Sequence, residues 1–303
     1  MPPLHALIGS WSPDFPSLTL ILVIGAGYRW MARRGGEPTP AQAWSFASGL
    51  VLWALATLSV IAVYAPVLFW MRALQVLMLL FAVPFLLALG RPVATLRAAS
   101  SPSGRARLDR VLASRPARVV CSPLVTSALM LATPWLLYLT PWYVASLVNS
   151  TIGALTRILL LLIGFGYFYA RLQADPVPHR YSPLLSMGIS VAETLGDGLL
   201  GLVLWLGPLI AEDYYAGLGR TWGPSMRTDQ TVGAGILWIL GDVLGLPFLL
   251  LLMRALGSRE KELADEADEA DEVDRTVHVE PGSVRPTLWW EADPQLRNRF
   301  GRG

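Results

Sequence analysis

Apolar runs, several close to the roughly 20 residues a helix needs to cross the hydrocarbon core, alternate with short polar breaks along most of this chain. Seven of them are predicted as transmembrane helices: 17–31, 43–64, 67–89, 119–139, 150–170, 184–210 and 231–256. The first is short, and the fourth carries Pro134, tolerable where neighbouring helices satisfy the freed carbonyl. A tight hairpin at Tyr64-Ala65-Pro66 joins spans two and three, and a polar linker from Gly90 to Arg118 separates three from four. The pattern predicts an all-α, polytopic membrane helix bundle over 1–258.

Arginine placement sets the orientation, because Lys and Arg in short loops stay cytoplasmic. Arg29, Arg33 and Arg34 follow span one, seven arginines from Arg91 to Arg118 follow span three, and Arg171 and Arg180 follow span five. The opposite side holds Arg220 and Arg227. The N-terminus is expected outside and the C-terminus inside. The first apolar run lacks a preceding Lys or Arg, so it reads as a first span rather than a cleaved signal peptide.

Beyond residue 258 the character changes. Residues 259–303 open with nine acidic residues between Glu260 and Asp274 and close on a polar segment bearing Trp289 and Trp290. Such a run cannot bury a core and reads as a cytoplasmic, largely disordered tail. The Trp pair suggests docking on a membrane surface, on the protein's own loops or on a partner, or has no role.

Composition agrees: the 303 residues are 53% hydrophobic and 15% charged, with mean hydropathy +0.48. A net charge of +2 gives no reason to expect a nucleic-acid partner, and the single Cys121 excludes an internal disulfide or a CxxC motif. His5, His179 and His278 fall outside the spans and show no metal-ligand spacing. No phosphate-binding loop, dinucleotide fingerprint or nucleophile elbow is present, so an enzyme is not expected.

Ionisable residues inside spans are costly and by default mark function or a pair. The candidates are Arg72 in span three, Arg157 in span five, Glu193 and Asp197 in span six and Asp242 in span seven. Gln75 accompanies Arg72, and Glu193 and Asp197, four apart, share a helix face. By depth, two arginines and three acids could meet in the outer half of the bundle, with Arg72 and Arg157 pairing to Glu193 and Asp197. The simpler alternative is that both arginines snorkel to the interface. The glycines of Gly241–Gly245 and Gly196–Gly201 read as close helix packing.

Motifs then narrow the field. The stretch YYAGLGRTWGPSMRTDQTVGAGILWILG resembles the closing signature of the CtaG-like family, assembly factors of caa3-type cytochrome c oxidases. Asp229, Gln230, Gly233, Trp238 and Gly241 stand at matching positions, with Ala234 in place of a glycine. RALQVLML followed by Pro84 and LGRP, and the turn ADPVPHRYSP, extend the similarity over roughly 20–256. The resemblance implies a multi-pass protein of the bacterial plasma membrane that helps build the oxidase, thought to help supply copper, with oxidase subunits or copper chaperones as partners beside the lipid bilayer. The family's paired histidines of span three are here Arg72 and Val76. Gly153 and Arg157 occupy the region where relatives carry further histidines, and Glu193 and Asp197 stand in span six where another is expected. No cofactor is therefore expected, and copper remains possible only without the family's ligands. Two other functions stay open: a transporter or channel using the intramembrane charges, and a scaffolding subunit acting through its tail.

Overall fold

The structure is a computed structural model that describes residues 14–172 and 183–243, together with Trp11, Asp175 and eight positions between Gly245 and Gly257. The acidic tail with Trp289 and Trp290, and all three histidines, lie outside the described residues.

Every regular element among the described residues is helical. In chain order they are α1 (Phe15–Met31), α2 (Pro40–Leu58), α3 (Val60–Tyr64), α4 (Phe69–Leu77), α5 (Val83–Leu89), α6 (Pro92–Ala99), α7 (Pro102–Leu112), α8 (Arg115–Val120), α9 (Pro123–Leu139), α10 (Trp142–Val148), α11 (Ser150–Leu172), α12 (Pro183–Leu206), α13 (Glu212–Gly217) and α14 (Met226–Gly235). Wide π-type turns follow α1, α4 and α14. Among the described residues five helical runs are long and apolar enough to cross a membrane, and a sixth appears if α9 and α10, bent by 73°, count as one span. The 24-residue α12 occupies the stretch read from sequence as the sixth span.

Local chemistry explains where helices begin. Thr39, Ser101, Ser114, Ser122 and Ser225 each N-cap a helix through the side-chain oxygen, and Thr39 forms a reciprocal capping box with Gln42. Proline at the first or second helical position follows four of these caps, where its missing N–H costs nothing. The second span is not continuous: Ser59 is extended, and its hydroxyl caps the short α3.

The run from α4 through α6 is the axis of the bundle. Seventy-two per cent of its apolar window is buried, against 17 to 39% for the other four runs, and it packs against α2, α11 and α14. Helices α12 and α9 close the far side, α12 contacting both α14 and α9. The axis widens at Met78–Ala82, where Val83 N–H donates to the Met78 carbonyl five residues back. Pro84 follows and offers no N–H to the Leu80 carbonyl. That carbonyl lies against Gly164 of α11.

The buried core follows the axis: Phe69, Val76, Leu79 and Val83 meet Leu137, Tyr138, Leu160 and Phe168. Outward faces remain apolar, with Leu22, Val51, Leu162, Leu195 and Ile239 exposed, as lipid-facing surfaces require.

Candidate functional site

Asp229 and Gln230 are each 2% exposed and tie distant segments together. Ser225 caps α14, accepting from Thr228 N–H, so Asp229 does not cap the start of its own helix. Its carboxylate instead accepts the Trp70 N–H at 3.0 Å, supplying a cap to α4, and pairs with Arg220 at 3.3 Å. Gln230 donates to the carbonyls of Leu204 and Pro208 and accepts from Ile210 N–H at 2.7 Å. These bonds finish the frayed end of α12, whose last carbonyls have no intrahelical partner.

The rest of the signature is steric. A Cβ on Gly233 would run into the Phe69 ring. Trp238 lies over Gly198 and Gly201 of α12, where a Cβ on Gly201 would approach Trp238 Cβ to 2.7 Å. The packing reading of 196–201 therefore corresponds to a real close approach. Gly241 and Gly245 differ, since a Cβ on either makes only ordinary contacts at 3.7 and 3.8 Å.

Asp229→Ala should lower stability by about 1–3 kcal/mol, the cost of a lost cap and a buried donor left unpaired. Asp229→Asn, which keeps an acceptor for Trp70 N–H, should recover more than half of the loss. Thermal unfolding of the purified protein in mild detergent checks both; equal losses would show that the Arg220 charge, not the cap, carries the effect.

Arg72 is 3% exposed and does not snorkel. It donates to Gln75 Oε1 at 2.8 Å and to Ser146 Oγ at 2.9 Å. Gln75 in turn donates to the Ala56 carbonyl, and Ser146 to that of Tyr143. Among the described residues no carboxylate lies within ion-pair distance of Arg72. Arg72 Nε and the Tyr138 hydroxyl are buried without a hydrogen-bond partner there, while Tyr143 and Tyr215 join hydroxyl to hydroxyl at 2.8 Å.

The expected pairing of Arg72 and Arg157 with Glu193 and Asp197 is not what these side chains make. Arg157 pairs with Asp14, just before α1, at 2.9 Å. Glu193 pairs with Arg171 at 3.1 Å and accepts the Tyr167 hydroxyl at 2.7 Å. Arg171, whose position after the fifth apolar run predicts a loop cation, lies inside α11 with its side chain fully buried and also donates to Ser127. Periodicity carried a signal for it: Tyr167 and Arg171, four apart, share the helix face turned to Glu193. Asp197 and Asp242 line the same cavity as Glu193, away from Arg72.

Asp175, in the turn resembling the family's Asp-Pro motif, accepts from Val93 and Ala94 N–H at 3.2 and 3.0 Å. It thus caps α6, whose start is Arg91 in a left-handed conformation followed by Pro92. Burial pushes the Asp175 carboxyl above its ordinary range, and the Ala94 and Val93 N–H groups oppose that rise.

Copper does not fit the positions of the paired imidazoles. Arg72 has no lone pair to offer, its terminal nitrogens are already donating, and Val76 has no donor atom. Gly153, at the start of α11, lies against the Ser146 carbonyl. Among the described residues no three His, Cys, Asp or Glu side chains converge in a manner suited to a metal ion.

A family model described as cytochrome c oxidase caa3 assembly factor matches residues 24–258. The chain is 24% identical over 266 residues to uncharacterized proteins of Mycobacterium bovis and Mycobacterium tuberculosis, covering 81% of this chain and 40% of each relative. It is 26% identical over 230 residues to an uncharacterized protein of Mycobacterium leprae, covering 72% of this chain and 35% of that one. The chain thus spans less than half the length of these curated relatives. No solved structure matches it.

Proposed function

The chain belongs to the cytochrome c oxidase caa3 assembly factor family, and on that footing we propose that it is a non-catalytic, multi-pass assembly or accessory protein of the bacterial plasma membrane serving a haem-copper oxidase. The observation that carries this reading is the family match over 24–258, whose signature residues Asp229 and Gln230 are buried and bonded across three segments. Seven crossings, N-terminus outside and C-terminus inside, follow from the apolar runs and arginine placement; 1–258 is the membrane unit and 259–303 a cytoplasmic tail. Oxidase subunits or copper chaperones are its partners.

The protein works without a resident copper ion at the span-three position, because a guanidinium bonded to Gln75 and Ser146 stands there. It then contributes a docking surface or a positioning function rather than its own copper ligands. Transport through the intramembrane charges calls for one connected polar path, whereas Arg72, the Arg157–Asp14 pair and the Glu193 cavity keep separate partners.

Deleting the gene should lower haem-copper oxidase activity in membranes several-fold at limiting copper, and complementation should restore it. Unchanged oxidase activity and membrane copper under those conditions would sink the reading.

A further inference from the structure

A cavity of about 350 Å³ opens between the axis and helices α9, α11 and α12 and the segment that follows α14. That volume lies within the roughly 300–1,000 Å³ typical of small-molecule sites. Its walls are mainly apolar, with Val76, Leu80, Met130, Leu200, Leu237 and Leu249 among them. Three carboxylates face it: Glu193, Asp197 and Asp242.

These acids are not equivalent. Arg171 and Tyr167 engage Glu193, so its charge is already matched. Among the described residues Asp197 and Asp242 make no ion pair. A carboxylate set in a mainly apolar wall is costly unless a cation or a donor meets it. Two such groups on one cavity define what would complete it, namely positive charge on one side of a body that otherwise prefers hydrocarbon. A bare metal ion answers poorly, since the three acids are not disposed as a metal centre and the remaining lining would stay uncovered. A neutral hydrophobe fills the space and leaves both acids unmet.

We propose that the cavity bounded by Val76, Leu80, Met130 and Leu200, with Asp197 and Asp242 on its lining, binds a small amphiphilic organic cation, an ammonium on an alkyl or aryl body. The ammonium sits between the Asp197 and Asp242 carboxylates, and the apolar body lies along the axis and α9. Arg171 confines the demand for a cation to those two acids by neutralising Glu193. The inference goes beyond the assembly role and does not rest on it, and its test reads binding alone.

Full-length protein in nanodiscs of zwitterionic phosphatidylcholine is titrated calorimetrically with octylammonium and, separately, with octanol; empty nanodiscs give the partitioning background. Octylammonium should show a saturable component of one site per protein, at least about tenfold tighter than octanol, equivalent to about 1.4 kcal/mol. Asp197→Asn/Asp242→Asn should bring the two affinities together. Asp242→Asn alone, at a partly exposed side chain with no ion pair to lose, should weaken octylammonium several-fold while leaving octanol and thermal stability unchanged, and Asp213→Asn should change nothing. Absence of a saturable component, equal affinities for the two probes in the wild-type protein, or octylammonium binding that survives loss of both carboxylates would each overturn the proposal.

Discussion

Arg171→Met should destabilise the protein by about 3–5 kcal/mol, the usual consequence of stranding one member of a buried ion pair. The side chain is fully buried, and it meets Glu193 through both carboxylate oxygens and Ser127 through the same nitrogen. Removing the guanidinium leaves Glu193, among the described residues, with the Tyr167 hydroxyl alone. Replacing both charges, as Arg171→Met/Glu193→Leu, should regain most of the loss, because swapping a buried pair for apolar groups of similar volume is often neutral. Melting in mild detergent, read beside the yield of folded protein, distinguishes the outcomes. A single variant within about 1 kcal/mol of wild type would mean that the pair contributes no more than a solvated surface bridge.

The second large effect is steric. Gly164→Ala should cost about 2–3 kcal/mol, the upper part of the range for over-packed interiors, and Gly164→Leu should prevent the folded protein from accumulating. A Cβ at this position points at the Leu80 carbonyl oxygen and would come to 2.7 Å from Pro84 Cγ. Neither neighbour can yield cheaply: one is backbone, and the other is a ring fixed in the axis of the bundle. Gly166, two residues along the same helix, has nothing within 4 Å of its would-be Cβ, so Gly166→Ala should be neutral or slightly stabilising, as alanine is the better helix former. Matched melting curves of the two variants give the comparison; similar behaviour would show that α11 shifts freely against the axis.

What the sequence reveals depends on how local the cause is. Apolar runs announce the helices, because the length needed to cross hydrocarbon is a property of each segment alone. The break at Ser59 hides inside a run that is apolar on both sides, since only the backbone there departs from helix. The short α10, set off from α9 by Thr140 and Pro141 and bent away by 73°, falls between the fourth and fifth apolar runs, where no span is read from the sequence. For the polar residues, sequence finds which are present in the membrane but not whom they meet. Depth alone places Arg72 and Glu193 in reach of each other; the angular position of each helix, set by packing of every neighbour, sends Arg72 to Ser146 and Glu193 to Arg171. Asp229 and Gln230 stand out by their motif, but their partners lie on other segments, Trp70 and Ile210.

The bond from Asp229 to Trp70 crosses 159 positions of sequence. A ribosome makes the third span long before it makes the residue that completes that span's first turn. The central run therefore forms with an open first turn, and the chain cannot close that turn until Asp229 has been synthesised. Truncation before residue 229 should leave the preceding segments helical but the axis more easily cleaved by protease near Trp70, so that the arrival of Asp229 is a late step in setting the bundle.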